Sequence, residues 1–185
     1  MNYYEAQDFI HKTPTPLKQS EFLECHFKDN DFSNLDLSYS KFIECTFEDT
    51  NLSNITINST TFRDVSFTNC KLLGLNWSGT LSLSELKFVN CLLNFCVFQD
   101  VNLQHTTFDR CQIHETDFSQ SNLKHSLFNE TSLKGSLFNQ SDLRHCDLKS
   151  ATNYFIDPNY NKISKAKFST PEVITLLSAF DIEID

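Results

Sequence analysis

The chain of 185 residues contains only three Gly and four Pro. So little Gly excludes collagen-like repeats, Gly-rich linkers and Gly-rich phosphate loops. No HExxH, GxGxxG, GxSxG or Walker sequence occurs, so no catalytic residue, enzyme activity or cofactor is expected. The seven Cys include no CxxC pair. The start, Met1-Asn2-Tyr3-Tyr4-Glu5, has no basic n-region and no apolar h-region. No export signal is read, and the thiols are expected to stay reduced in a cytoplasmic protein. An uncharged run such as Leu72–Ser84, which no other exceeds in length, is too short and too polar to span a bilayer, so no membrane association is expected. Basic residues are also scarce: 15 Lys and Arg stand against 24 Asp and Glu, a formal charge of −9. Direct binding of nucleic acid is therefore disfavoured.

What the chain does have is a repeat. From Phe22 to Trp77 every fifth residue is apolar. After a slip of one residue the series resumes at Phe88 and runs to Leu148 without a polar exception. Thirteen of the 18 Phe lie on it, so it marks the core. Two residues earlier runs a second series of small or apolar residues, with Asn30 the one misfit. It includes all seven Cys, and that position suits a small buried hydrophobe. Cys25 with Cys45, and Cys91 with Cys111, would be neighbours on successive coils, close enough in principle for a bond or a metal. The reading taken is seven free thiols.

Period five fits neither a helix, where five residues advance about 140°, nor a strand, where an odd step flips the face. Both series can point inward only if each pentad turns the chain by the same angle. The chain must wind into a solenoid whose coils stack at roughly 4.8 Å. Four sides per coil place like on like: Phe88, Phe108 and Phe128 in one column, Leu103, Leu123 and Leu143 in another. Three sides would mix every column.

The repeat resembles that of the pentapeptide repeat family, with its motif A(D/N)LXX, over roughly Ser20 to Ala151. The best stretches are Glu115–Leu123 and Gln140–Leu148. The resemblance implies an all-β fold, a right-handed quadrilateral β-helix. Residues 1–19 are read as an N-terminal cap and 20–151 as the β-helix, with the slip near 78–87. Residues 152–185 are read as a C-terminal cap with a short α-helix and tail, and as the dimerisation element.

In that tail Thr170-Pro171-Glu172 reads as N-cap, N1 proline and first-turn acid. Val173, Leu176, Leu177 and Phe180 share one helical face, and Asp181–Ile184 alternates like a strand. This ending is similar to those of bacterial quinolone-resistance (Qnr-type), microcin-immunity and mycobacterial fluoroquinolone-resistance members of the family. The similarity implies a homodimer joined at the C-terminus, here through Ile174, Leu177, Phe180 and Ile184. It also implies a DNA mimic that binds a type II topoisomerase, DNA gyrase or topoisomerase IV. The long loops of Qnr-type proteins are absent, since only one extra residue interrupts the register.

Charge supplies the candidate site. Glu24, Glu44 and Asp64 fall in one outward column, and Asp29 and Asp49 in the next, with Glu48 beside them. Residues 21–64 hold nine acids and three bases, about one net charge per 1.8 Å of rod, close to duplex DNA. These six acids are the candidate partner-binding face. The alternative is an interaction scaffold for a different protein. His105, His125 and His145 form another outward column, a weak candidate for a metal. Gln104, Lys124 and Arg144 beside them make that strip basic, and it is expected on the opposite face from the acids.

Overall fold

The computed structural model describes residues 2–180 and 182. The chain is a parallel β-solenoid. One face carries a five-stranded sheet: β1 (Asn2–Glu5), β3 (Ser20–Leu23), β5 (Lys41–Ile43), β7 (Thr61–Arg63) and β9 (Ser82–Ser84). The next face carries nine strands: β2 (Asp8–Ile10), β4 (His26–Lys28), β6 (Thr46–Glu48), β8 (Ser66–Thr68), β10 (Lys87–Val89), β11 (Thr107–Asp109), β12 (Leu127–Asn129), β13 (Asp147–Leu148) and β14 (Lys167–Phe168). Isolated parallel bridges such as Asp31–Asn51 and Asp36–Thr56 link the other two faces.

Two residues after an inward large residue the backbone takes a left-handed conformation, Trp77 and Leu148 being exceptions. In one coil this happens at Glu24 (φ 51°), Asp29 (φ 52°), Asn34 (φ 61°) and Tyr39 (φ 62°). Non-Gly residues rarely adopt such angles. Here they form the four corners, so each coil has four sides and 20 residues. Phe22 opposes Phe42, Phe42 opposes Phe62, and Phe108 opposes Phe128. The first coil is two residues shorter, with Tyr4 opposite Phe22.

The extra residue sits in the short 3-10 turn Trp77–Gly79 and the link to β9. Beyond it Phe62 opposes Leu83 and Phe67 opposes Phe88. Leu83, not Phe88, is thus the first inward residue after the slip. On this face pairing stops at β9 and resumes at the Asn102–Asn122 bridge. A groove of about 400 Å³ opens there, lined by Leu83, Ser84, Glu85, Asn102, Gln104 and His105.

The core is a set of ring ladders. Phe9, Phe27, Phe47, Phe67, Phe88, Phe108 and Phe128 stack in one column, with centroids 4.6 to 5.2 Å apart. Trp77, Phe98, Phe118 and Phe138 stack in another. Burying each such side chain contributes roughly 1.5–3 kcal/mol.

The second inward series carries hydrogen bonds as well as bulk. Ser40, Thr60, Thr116, Ser126 and Ser141 donate their hydroxyls to the carbonyls of Leu17, Leu37, Leu93, Leu103 and Phe118, at 2.6 to 2.9 Å. Cys96 and Cys146 donate in the same way to Leu72 and Leu123, at 2.9 and 2.7 Å. Asn30 obeys the rule too, donating to the Phe9 carbonyl at 2.7 Å. Where this position carries a donor, the bond meets a carbonyl that the corner turns inward, while Ile55, Val65, Leu75 and Leu86 fill it with apolar bulk alone.

Coiling continues past Ala151. Thr152 bridges Ser132, Lys162 bridges Asp142, and Phe168 opposes Leu148. The sequence pattern fades because a count of five lands on Asn153, which is exposed at a left-handed corner, and on the half-buried Pro158. Tyr154 and Ile156 fill that part of the core instead. Helix α1 (Thr170–Leu177) lies across the last coil, with Ser169 rather than Thr170 at its N-cap. Only Leu176 of the expected apolar stripe is buried. Glu172 accepts from the Asn153 amide at 3.3 Å and Thr175 donates to the Tyr154 carbonyl at 3.3 Å. The covering face therefore runs through Glu172, Thr175 and Leu176, which turns Leu177 and Phe180 outward. No helix among the described residues is long and apolar enough to cross a membrane.

Candidate functional site

The acids of the first column are corner residues. Glu24, Glu44, Asp64 and Glu85 all have left-handed backbones, with φ between 51° and 54°. Backbone bonds hold them in line: the amides of Glu24, Glu44 and Asp64 donate to the carbonyls of Ile43, Arg63 and Ser84 at 2.9 to 3.0 Å. All four side chains are exposed, and among the described residues none has a basic group within 4.0 Å. Glu85 was not among the acids expected here. The extra residue before β9 moves it into the column, where a strict count of 20 would place Ser84.

The same residue overturns the expectation about the histidines. His105, His125 and His145 continue this corner beyond Glu85, and Lys165 follows, with φ between 60° and 63°. Glu85 and His105 line the same groove. The acids and imidazoles therefore occupy one edge, not opposite faces. The rings stack in parallel, with centroids 5.1 and 4.7 Å apart. Parallel stacking does not converge nitrogens on a point, and no cluster among the described residues is arranged to hold a metal ion. Burial lowers the His145 pKa, helped by the nearby His125, Lys165 and Arg144. Arg144 and Lys124 both bind Asp142, at 2.7 and 3.3 Å, and together with the Arg144 amide they hold its carboxyl at about 2.

Asp29 and Asp49 form the adjacent corner, across the nine-stranded face from the first. This column is hydrogen-bonded along its length. The Asn69 amide donates to Asp49 at 3.0 Å, Asn90 to Asn69 at 3.3 Å, and Arg110 to Asn90 at 3.0 Å. Asp29 has His11 at 3.8 Å. Glu48 lies on the face between the corners, tied to Lys28 at 2.7 Å and His26 at 3.4 Å. Of the six expected acids, Glu24, Glu44 and Asp64 are thus the ones without a side-chain partner among the described residues, and Glu85 extends their line.

At the far end Ile174, Leu177 and Phe180 are exposed, and Phe155 and Tyr160 add to the apolar surface of the last coil. Ile184 lies outside the described residues, as do Asp181 and Glu183 of the alternating segment. All seven Cys are free and buried. Cys70 joins Cys91 and Cys111 in one column, because the slip places it directly before Cys91. Burial pushes the Cys45, Cys96 and Cys146 thiols up to about 12.

Comparison with known proteins agrees with this architecture. A search of curated proteins returns no match. Among solved structures, trypsin-treated QnrB1, described as a plasmid-mediated fluoroquinolone resistance protein, is 17% identical, with 100% of this chain and 98% of that chain covered at a TM-score of 0.49. HetL, a pentapeptide repeat protein of the cyanobacterium Nostoc sp. strain PCC 7120, is 13% identical, with 88% and 87% covered at a TM-score of 0.31. The family described as pentapeptide repeat region matches residues 20–94, 60–138 and 81–168. With the repeat, the four corners per coil and this match all coinciding, the chain belongs to the pentapeptide repeat family.

Proposed function

We propose that the protein is a non-enzymatic interaction solenoid whose N-terminal acidic corner docks in the basic groove of a protein partner, a type II topoisomerase. The observation that carries the reading is the line Glu24–Glu44–Asp64–Glu85: four exposed carboxylates on one edge without counter-charges among the described residues. Their spacing along the rod, about 4.8 Å, is of the same order as the 3.4 Å per phosphate of one DNA strand and about 1.4 times as wide. Like charges stacked this closely cost stability, so a gain in binding is the reason offered for keeping them. The family resemblance of the C-terminal ending supplies the partner class, and the exposed Ile174, Leu177 and Phe180 would join two copies there.

The carboxylates of this corner end at Glu85, with His105 next in line, which confines the DNA-like charge to the N-terminal half. Contact with a basic groove should therefore be made by that half alone. The test is DNA supercoiling by purified gyrase with added protein. Wild type should inhibit supercoiling and compete with DNA at low salt. The variant Glu24→Gln/Glu44→Gln/Asp64→Asn/Glu85→Gln should lose most of that effect while melting at an unchanged or slightly higher temperature. Equal activity of the two proteins would leave an interaction scaffold with a different partner as the better reading.

A further inference from the structure

The charge order of this corner is self-complementary. Counting outward from the groove toward the N-terminus come Glu85, Asp64, Glu44 and Glu24. Counting toward the C-terminus come His105, His125, His145 and Lys165. We propose that this corner is a pH-gated docking edge for a second copy of the chain, lying antiparallel along it. Glu85 then meets the partner's His105, Asp64 the partner's His125, Glu44 the partner's His145, and Glu24 the partner's Lys165. Two-fold symmetry repeats all four pairs.

The geometry favours a second copy over another occupant. Both halves of the corner are spaced by the same coil-to-coil rise, so matching at one pair sets the others. The two-fold axis crosses the groove between Glu85 and His105. The lapse in pairing there is shared by both copies and leaves the register intact. A different partner would have to reproduce a strand-spaced row of charges that changes sign at the same point.

Protonation of the imidazoles is the gate. Imidazole is the side chain whose charge changes within the physiological pH range, so acidification adds positive charge to the C-terminal half of the edge. Several charged groups face them. Glu85 borders His105 at the groove. Lys124 and Arg144 flank His125 and His145, with Asp142 holding both bases, and Lys165 caps the column. Burial and the neighbouring His125, Lys165 and Arg144 lower the His145 pKa.

This inference is independent of the topoisomerase reading, because its test contains no topoisomerase. The full chain is followed by sedimentation velocity at low salt, at pH 7.5 and at pH 6.0, above its pI of about 5.0. Two variants are compared: His105→Gln/His125→Gln/His145→Gln, and Glu24→Gln/Glu44→Gln/Asp64→Asn/Glu85→Gln. Gln already occupies left-handed corners at Gln120 and Gln140, so both should fold, which circular dichroism checks. Wild type should associate on the order of tenfold more tightly at pH 6.0, as several weak exposed pairs add. Each variant alone should show no such gain. An equimolar mixture should recover part of it, since one protein supplies the acids and the other the imidazoles. A pH-independent mass, variants that associate like wild type, or a mixture no larger than its components would overturn the proposal.

Discussion

Glu85 and His105 stand on successive coils of one corner, on either side of a groove, and the edge passes from carboxylates to imidazoles between them. One extra residue before β9 produces this alignment. The same residue joins Phe67 to Phe88 in an unbroken ring column, so the core continues smoothly while one face lapses.

Whole coils should be removable units. Deleting residues 109–128 leaves every later column in register and should give a shorter rod that still melts cooperatively. Deleting five or ten residues places later pentads on the wrong sides and should be far more damaging. Circular dichroism melts of the deletions decide this, and equal damage from both kinds would sink the four-sided architecture.

Phe108 lies between Phe88 and Phe128 at 5.2 and 4.9 Å and is fully buried. Phe108→Ala should cost about 3–5 kcal/mol in urea unfolding, with a cavity left between two stacked rings. A loss below roughly 1 kcal/mol would mean that the column relaxes as no close-packed core should.

The donor rule of the second inward series is testable at Ser126, whose hydroxyl bonds the Leu103 carbonyl at 2.7 Å. Ser126→Ala leaves that carbonyl with only the Thr106 amide, at 3.2 Å, and should cost about 0.5–1.5 kcal/mol. Ser126→Cys keeps a donor, as Cys146 does on the next coil, and should cost less. The reverse ranking in thermal melts would refute the rule.

His145 gives a pH signature. Its pKa is lowered in the folded chain, so the folded state holds fewer protons than the unfolded one just below pH 6.5. The stabilisation is complete above about 6.5 and fades as pH falls through the depressed folded value. Melting temperature should drop on acidification through that window, and His145→Gln should reduce the drop. An unchanged pH profile in the variant would assign the drop elsewhere.

Ile174 and Phe180 are 52% and 51% exposed, so Ile174→Glu/Phe180→Glu should fold normally. Light scattering at neutral pH should show half the mass of the intact protein. An intact protein that is itself a monomer at micromolar concentration would refute the C-terminal dimer.

Much of the fold was legible in the sequence, because a strict period of five apolar residues admits one geometry. The four sides followed from aromatic stacking on aromatic, as in Phe88, Phe108 and Phe128. The site was less legible. Adding 20 to Asp64 lands on Ser84, so the acidic column ended one residue short of Glu85 and the histidines seemed to lie elsewhere. Where an inserted residue is absorbed depends on how one corner packs, here around Trp77, and no local pattern encodes that. The end of the rod was hidden for a similar reason. Asn153 and Pro158 break the pattern, while Tyr154 and Ile156 keep the core filled. Glu48 was read as part of an open acidic face. Its pairing with Lys28 across one coil becomes visible only once the columns are aligned.

The most direct test of the acidic corner as a binding surface is the salt dependence of binding to purified gyrase, measured from 50 to 200 mM salt at pH 7.5. If exposed carboxylates drive the contact, wild-type affinity should fall steeply over this range, as screened long-range attraction does. The protein lacking the charges of Glu24, Glu44, Asp64 and Glu85 should bind weakly, with a much flatter slope. Wild-type binding that ignores salt, or an equal slope in both proteins, would contradict the account.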